Sequence, residues 1–391
     1  GQSALASNTT ANYNTAVGRS ALLLNTTGTQ NVAVGAYALD ANTTSGNLTA
    51  IGYNALGGNT TGTENTGIGR QALLTNSTGS YNVALGVNAL YQNTTANNNT
   101  ACGNSSLAAN TTGANNVAVG AAALDANTTG ANNVAVGYDA LGSTTTGDQN
   151  TAVGGYALDT NTTGEYNVAI GYAAMDANTT GGYNTGVGYH ALKSNTTGTG
   201  LVAIGAYALD AISSAADNSV AIGYEALSAH TAAQPCVAVG RGALKSNVTG
   251  QYNVAVGDRA LQDNTANFNT AMGGFALYKN TTATHNVAFG YAALEENTTG
   301  NYNTAVGAAA LDLNTTSNNN TAVGYNALTA NTAGNNTGIG YKALEANTTG
   351  ADNVALGTGA LTANTTATGN VAVGKDALND NTDGTRKVAV A

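Results

Sequence analysis

The chain has 391 residues, of which 51 are Gly, one is Pro and none is Trp, and its apolar fraction is mainly Ala, Val and Leu, an inventory that fills a thin core. Eleven basic residues against 21 acidic ones give a net charge of −10, which excludes a nucleic-acid or anionic-membrane surface as a partner. No apolar run approaches the roughly 18 residues that span a bilayer.

Glycines recur from Gly1 through Gly18, Gly35 and Gly52 to Gly374 in steps of 17, with one step of 18 (Gly205 to Gly223) and two of 16 (Gly257 to Gly273, Gly324 to Gly340). The expected organisation is one continuous repeat array over residues 1–391, with an irregular stretch at about 206–240 that includes Pro235. Seventeen residues is too short for a helical hairpin, which takes about 33, and Gly, Asn and Thr at this density disfavour helix.

Taken in chain order, each unit reads N-[VT]-A-[VI]-G-x-x-A-L-x-x-N-T-T-G-x-x, as from Asn31 through Gly35 and Leu39 to Thr44. V-x-V-G, then A-L, then a polar corner predicts two short strands and two turns per lap. The fold class is therefore all-β: a parallel β-solenoid (β-roll or β-helix) of 23 coils with a 17-residue repeat. At about 4.8 Å per lap, 23 laps make a rod on the order of 110 Å long.

Residues three and one before the glycine share a side of the strand by period two, and Val32 with Val34 or Val168 with Ile170 are expected to fill the interior with Leu39 or Leu158. The glycine itself is expected at a tight bend with positive φ, or at a close backbone approach. Two before it, the residue is Ala in 20 of 23 units and Gly67, Gly186 or Gly338 in the rest, so something must press on that column. Lateral contact with neighbouring rods, as in a trimer, is one reading; a flattened coil whose interior takes both sides is the other.

The polar corner carries Asn in 20 of 23 units and an N-x-S/T acceptor sequence in 17: Asn8, Asn25, Asn42, Asn59, Asn76, Asn93, Asn110, Asn127, Asn161, Asn178, Asn195, Asn247, Asn280, Asn297, Asn314, Asn347 and Asn364. Covalent glycans are expected on some of them. Five more acceptors lie elsewhere, at Asn47, Asn98, Asn104, Asn319 and Asn335. A pure acceptor requirement leaves the middle residue free, yet it is Thr in 20 of 23 units, which points to an Asn/Thr hydrogen-bond ladder between laps.

Nothing in the sequence supports catalysis, a metal or a cofactor. His190, His230 and His285 occupy different columns several laps apart, and the acidic residues after the Leu (Asp40, Asp125, Asp159, Asp176, Asp210, Asp312) follow no calcium-solenoid pattern. Cys102 replaces an interior Val and Cys236 falls on a turn column, too many laps apart for a disulfide. The tyrosines follow the glycine (Tyr53, Tyr138, Tyr224) or precede it by five (Tyr81, Tyr166, Tyr252), where they cover small backbone at the surface or stack on carbohydrate. Adjacent Thr residues on a strand face opposite sides, so the corner offers one Thr row where an ice-binding face wants a matched pair.

NTAVG-type strands followed by x-x-A-L-x-x-N-T-T-G resemble the head repeats of trimeric autotransporter adhesins. They are still more similar to the repeat arrays of phage tail-fibre-like and large bacterial surface proteins. The resemblance spans all 23 units and implies an extracellular fibre or adhesive rod. The expected function is thus structural, a rigid extracellular or cell-surface filament built from copies of the chain, head to tail and laterally or as a trimer. An adhesin or tail-fibre shaft with a separate binding tip is the alternative, and an ice-binding solenoid the second. Gly1 and Ala391 fall in phase with the repeat, so the chain is expected to be an excerpt of a longer array or a stacking filament subunit.

Overall fold

The computed structural model describes residues 1–212, 218–232 and 234–391. It contains two compact units, Gly1–Gly198 and Thr199–Ala391. Each coil contributes one three-residue strand: eleven from Thr15–Val17 to Thr185–Val187 in the first unit, and twelve from Val202–Ile204 to Val388–Val390 in the second. Within each unit successive strands pair in parallel and in register, so that Thr15 lies beside Val32 and Val32 beside Thr49, or Val220 beside Val237. At the short steps the register shifts to 16 residues, Val254 beside Thr270 and Thr321 beside Thr337, without breaking the pairing. The protein is a parallel β-solenoid. The extra residue of the 18-residue step and part of the irregular stretch, at 213–217 and 233, lie outside the described residues.

The expected second strand is replaced by turns. Around A-L the chain alternates conformation, with positive φ at the second and fourth residues after each glycine, as at Tyr37 (59°) and Leu39 (53°), and, except at Pro235, again five before the next, as at Asn47 (60°). The alternation turns successive amides toward opposite neighbours: the Tyr37 N–H donates back to Arg19 O at 2.9 Å and the Leu39 N–H forward to Ala55 O at 3.1 Å. Turns as well as strands are therefore stitched along the stack, and that offsets the roughly 1–2 kcal/mol that each left-handed non-Gly residue costs.

The strand's polarity is the reverse of that expected from hydrophobicity. The small column points inward, with Ala33, Ala50, Ala84 and Ala118 all fully buried, and the Val/Ile column points out, with Ile51 39% and Leu85 47% exposed. What presses on the Ala column is the Leu of the preceding coil. A Cβ at Gly67 would stand 3.3 Å from Leu56 Cγ and 3.2 Å from Ala72 O, so a methyl group is the largest substituent that fits. Where Met175 replaces that Leu, the facing residue is Gly186, whose added Cβ would meet Met175 Cγ at 2.9 Å. The interior thus consists of Ala, Ala–Leu and two columns of Asn, one side chain across.

Both readings of the glycine hold. Gly35 and Gly52 have φ of 143° and 141°, and a Cβ on either would overlap the carbonyl of the next coil's glycine.

Candidate functional site: polar ladders inside, an aliphatic face outside

Two asparagine columns run through the interior. In the corner column, Asn42 Nδ2 donates to Asn25 Oδ1 at 2.9 Å and to Ser45 O at 3.1 Å, and the same pair of bonds recurs at Asn110 (Asn93 Oδ1 at 2.9 Å, Gly113 O at 3.0 Å). In the column that opens each strand, Asn31 Nδ2 donates to the same Ser45 O at 2.9 Å, while its Oδ1 accepts the Leu48 N–H at 3.0 Å. One carbonyl per coil therefore takes two amides, and the residue bearing it is Gly, Ala or Ser; at Gly28 an added Cβ would overlap Ser45 O and stand 2.5 Å from Asn25 Oδ1, so the local backbone there suits glycine. The middle Thr completes the ladder: Thr26 Oγ1 donates to Thr43 O at 3.1 Å and Thr111 Oγ1 to Thr128 O at 2.9 Å.

All but the first of the corner acceptor asparagines lie inside this ladder. Asn25, Asn42, Asn59, Asn76, Asn93, Asn110, Asn127, Asn161, Asn178, Asn195, Asn247, Asn280, Asn297, Asn314, Asn347 and Asn364 have no exposed surface, and a sugar on Nδ2 needs that atom outside. Asn8, in the first coil, is exposed. So are the five acceptors outside the corner, Asn47, Asn98, Asn104, Asn319 and Asn335, which sequence reading gave no special weight. A sequon reports local sequence, not depth.

The ladder's faults follow from sequence. Thr144 interrupts the corner column and has no amide to offer, so Asn127 Oδ1 is buried without a donor, and Asn161 Nδ2 keeps its bond to Gly164 O at 3.1 Å but finds only a long one in the column, to Thr144 Oγ1 at 3.4 Å. The Oδ1 atoms of Asn247 and Asn314 are orphaned one coil before each 16-residue step. There the deleted residue tightens the corner, and the next Asn donates to the carbonyl two residues on instead of three, as Asn264 does to Ala266 O at 2.8 Å and Asn331 to Ala333 O at 2.7 Å. We expect Thr144→Asn to restore the column and stabilise the first unit by about 1–2 kcal/mol. A urea midpoint that rises at unchanged slope checks it; an unchanged or lower midpoint would show that the column is not limiting.

In the second unit the two Asn columns carry Leu201, Ile212, Ser219, His230 and Cys236. His230 is fully buried with Nδ1 3.2 Å from Asn247 Nδ2, which leaves Nε2 without a partner among the described residues. Burial holds the imidazole below its ordinary pKa. Cys236 is also interior, its Sγ 3.4 Å from Gly250 O, and burial raises its thiol pKa. The cysteine expectations are thus reversed: Cys236 is inside, while Cys102 lies on the outward strand column, half-buried. Both thiols are free.

On the outer turns the aromatic residues stack along the axis. Tyr166 lies on Tyr183 with centroids 4.8 Å apart and planes 9° from parallel, and Tyr252, Phe268, His285 and Tyr302 form a continuous stack at 5.1–5.5 Å. His190 stacks on Tyr189 at 3.9 Å. Among the acidic residues after the Leu, partial burial first, then the Asp139, Asp176 and Asp125 carboxylates, push Asp159 up to about 6. Burial raises Asp40 and Asp312 as well.

The outer strand face is uniform along each unit. Its two columns hold Thr or Val, and an apolar residue at every strand, as in Val117 with Val119, Val134 with Val136 and Thr151 with Val153. No helix among the described residues is long and apolar enough to cross a membrane. In comparisons with known proteins, the chain matches no family model, no curated protein and no solved structure.

Proposed function

We propose that the chain is a structural protein, without an enzymatic role, that packs laterally on copies of itself in an extracellular or cell-surface fibre. The outward aliphatic face carries this reading. Fully burying a Val side chain removes about 100 Å² of apolar surface, so the 16 apolar side chains that stand beside six Thr on the eleven strands of the first unit, each roughly one third exposed, present on the order of 500 Å². A standard interface takes about 800 Å² from each partner, and an apolar patch this long on a soluble surface marks an interaction site. Lateral association thus moves from the Ala column, which is inside, to the Thr/Val and Val/Ile columns.

Stacked amides and backbone bonds supply the stiffness a fibre needs, and the ladder places no demand on a cofactor or metal. The aliphatic column at every strand suits packing against protein better than the paired hydroxyl rows of an ice-binding face. N-linked sugars, where present, belong on Asn8, Asn47, Asn98, Asn104, Asn319 and Asn335.

The test places charge on the face without touching the core: Val119→Lys, Val136→Lys and Val153→Lys together. In sedimentation and electron microscopy the unaltered chain should form laterally associated particles, and the triple variant should be dispersed with an unchanged circular-dichroism spectrum. An unaltered chain that stays monomeric at the highest attainable concentration would overturn the proposal, as would a variant that assembles equally well.

A further inference from the structure

Tyr166 and Tyr183 hold the same turn position in adjacent coils of the first unit, each five residues before a repeat glycine, and that column has no other tyrosines in successive coils. Their backbones match. φ is 59° at Tyr166 and 61° at Tyr183, and each N–H donates to the preceding coil, Tyr166 to Asp148 O at 3.2 Å and Tyr183 to Glu165 O at 3.0 Å. The strands that follow pair in register, Val168 beside Thr185. One ring therefore repeats the other, with centroids 4.8 Å apart and planes 9° from parallel, a separation equal to the ~4.8 Å between neighbouring strands. Such a repeat sets each ring carbon near its own counterpart.

We propose that this pair is an oxidative cross-linking site, at which one-electron oxidation with a peroxide as terminal oxidant joins the two rings as dityrosine. Each phenol gives up one electron and one proton to form a phenoxyl radical, whose unpaired electron lies on the oxygen and on the ortho and para carbons. The para carbon carries Cβ, so the two radicals bond through ortho carbons. Each ring then shifts its ortho hydrogen to oxygen and recovers its hydroxyl. The peroxide O–O bond breaks and takes up the two electrons and two protons as two waters, and the protein is lighter by two hydrogen atoms.

Access and geometry set the pair apart. Tyr166 is 40% and Tyr183 68% exposed, and with an edge in solvent each ring can turn about its broad χ2 well from stacked towards edge-to-edge. The other tyrosine contacts are worse placed. Tyr138 with Tyr156, Tyr156 with Tyr172, Tyr37 with Tyr53 and Tyr207 with Tyr224 meet at 74° to 89° and 5.3 to 6.2 Å, so that the edge of one points at the face of the other. Tyr172 with Tyr189 and Tyr325 with Tyr341 are near-parallel but 5.8 Å apart. Tyr189 is also held by His190, stacked on it at 3.9 Å, and Lys342 Nζ, 5.7 Å from the Tyr341 centroid, opposes loss of an electron from that ring. Between Tyr252 and Tyr302, Phe268 and His285 keep the phenols apart.

The consequence is mechanical. Adjacent coils are otherwise linked by hydrogen bonds and packing; a carbon–carbon bond one coil long restricts the unfolded chain and holds two coils together when those bonds open.

The experiment treats the full chain with hydrogen peroxide and a haem peroxidase, isolates the covalent monomer by denaturing electrophoresis, and cleaves before each Asp. Residues 159–175 and 176–209 are then expected as one joined species, two hydrogens lighter than the separate peptides together. That species should fall at least tenfold in Tyr166→Phe and in Tyr183→Phe, and persist in Tyr172→Phe and Tyr189→Phe. Phe keeps each ring in its stack, and circular dichroism checks that every variant is folded. Oxidation of Cys102 or the methionines adds oxygen and so raises the mass instead. Absence of the joined species, its dependence on Tyr172 as much as on Tyr166, or its confinement to covalent dimers would overturn the site. The bond is read within one chain, so its failure is distinct from failure of lateral assembly, which the strand-face variants read.

Discussion

Gly69→Ala should destabilise the first unit by about 4 kcal/mol or more, placing it among the exceptional single substitutions. Two costs add. Gly69 has φ of 138°, where an L-residue is strained. Its new Cβ would also overlap the Gly86 carbonyl, with the carbonyl carbon 2.6 Å away and Val87 N 3.2 Å away. That carbonyl cannot move aside freely, because the Gly86 N–H is bonded to Ile68 O at 2.8 Å and Gly69 to Ile51 O at 2.8 Å. Since each coil touches only its neighbours, the damage should be local. Hydrogen exchange is expected to show lost protection in the coils around Gly52, Gly69 and Gly86, while those around Gly154 and Gly171 keep theirs. Arg70→Ala, one residue on and exposed, should change stability by no more than about 0.5 kcal/mol. Equal effects of the two substitutions would mean that the glycine column is not what sets the spacing between coils.

The period and the parallel stacking are legible because the glycine column repeats a backbone requirement that only one residue type meets. The corner ladder is legible too: the middle Thr is more uniform than a glycosylation signal requires, and its hydroxyl does bond the next coil, as Thr26 does to Thr43 O. What the residues do not reveal is which side of the strand is inside. Alternation shows that Val32 and Val34 share a face, and hydrophobicity then assigns that face to the core. The width of the coil assigns it outward instead, since only a methyl fits beneath the neighbouring Leu. The invariance of the Ala column held that information, as a size limit and not as a hydropathy signal. The turns are hidden for another reason. Leu39 at positive φ contradicts its own propensity and is held there because the Ala38–Leu39 peptide bonds to both adjacent coils, Ala38 O accepting from the Leu22 N–H and the Leu39 N–H donating to Ala55 O, a constraint that exists only in the stack.

Asn110→Asp is the sharper of two probes of the interior. Asn110 is fully buried; its Nδ2 feeds Asn93 Oδ1 and Gly113 O, and its Oδ1 accepts Asn127 Nδ2 at 2.9 Å. Replacement by Ala removes these bonds, strands Asn93 Oδ1 and one Asn127 donor, and should cost about 3 kcal/mol. Replacement by Asp is nearly isosteric but puts an acceptor oxygen against two acceptors, and at neutral pH a charge with no cation beside it. Its cost should exceed about 4 kcal/mol there. The pH dependence separates the two. Burial raises the pKa of the introduced carboxyl in the folded state above its unfolded value of about 3.9. Below that value both states are protonated and the deficit is smallest, because a protonated carboxyl can still donate one bond. As pH rises, the unfolded chain releases its proton first, and the deficit grows until the raised folded pKa is passed. The Ala variant should show the same deficit at every pH. Urea melts of both variants at pH 4 and pH 7 check this, and parallel deficits for Asp and Ala would mean that the column is wet, with water rather than neighbouring amides completing its bonds.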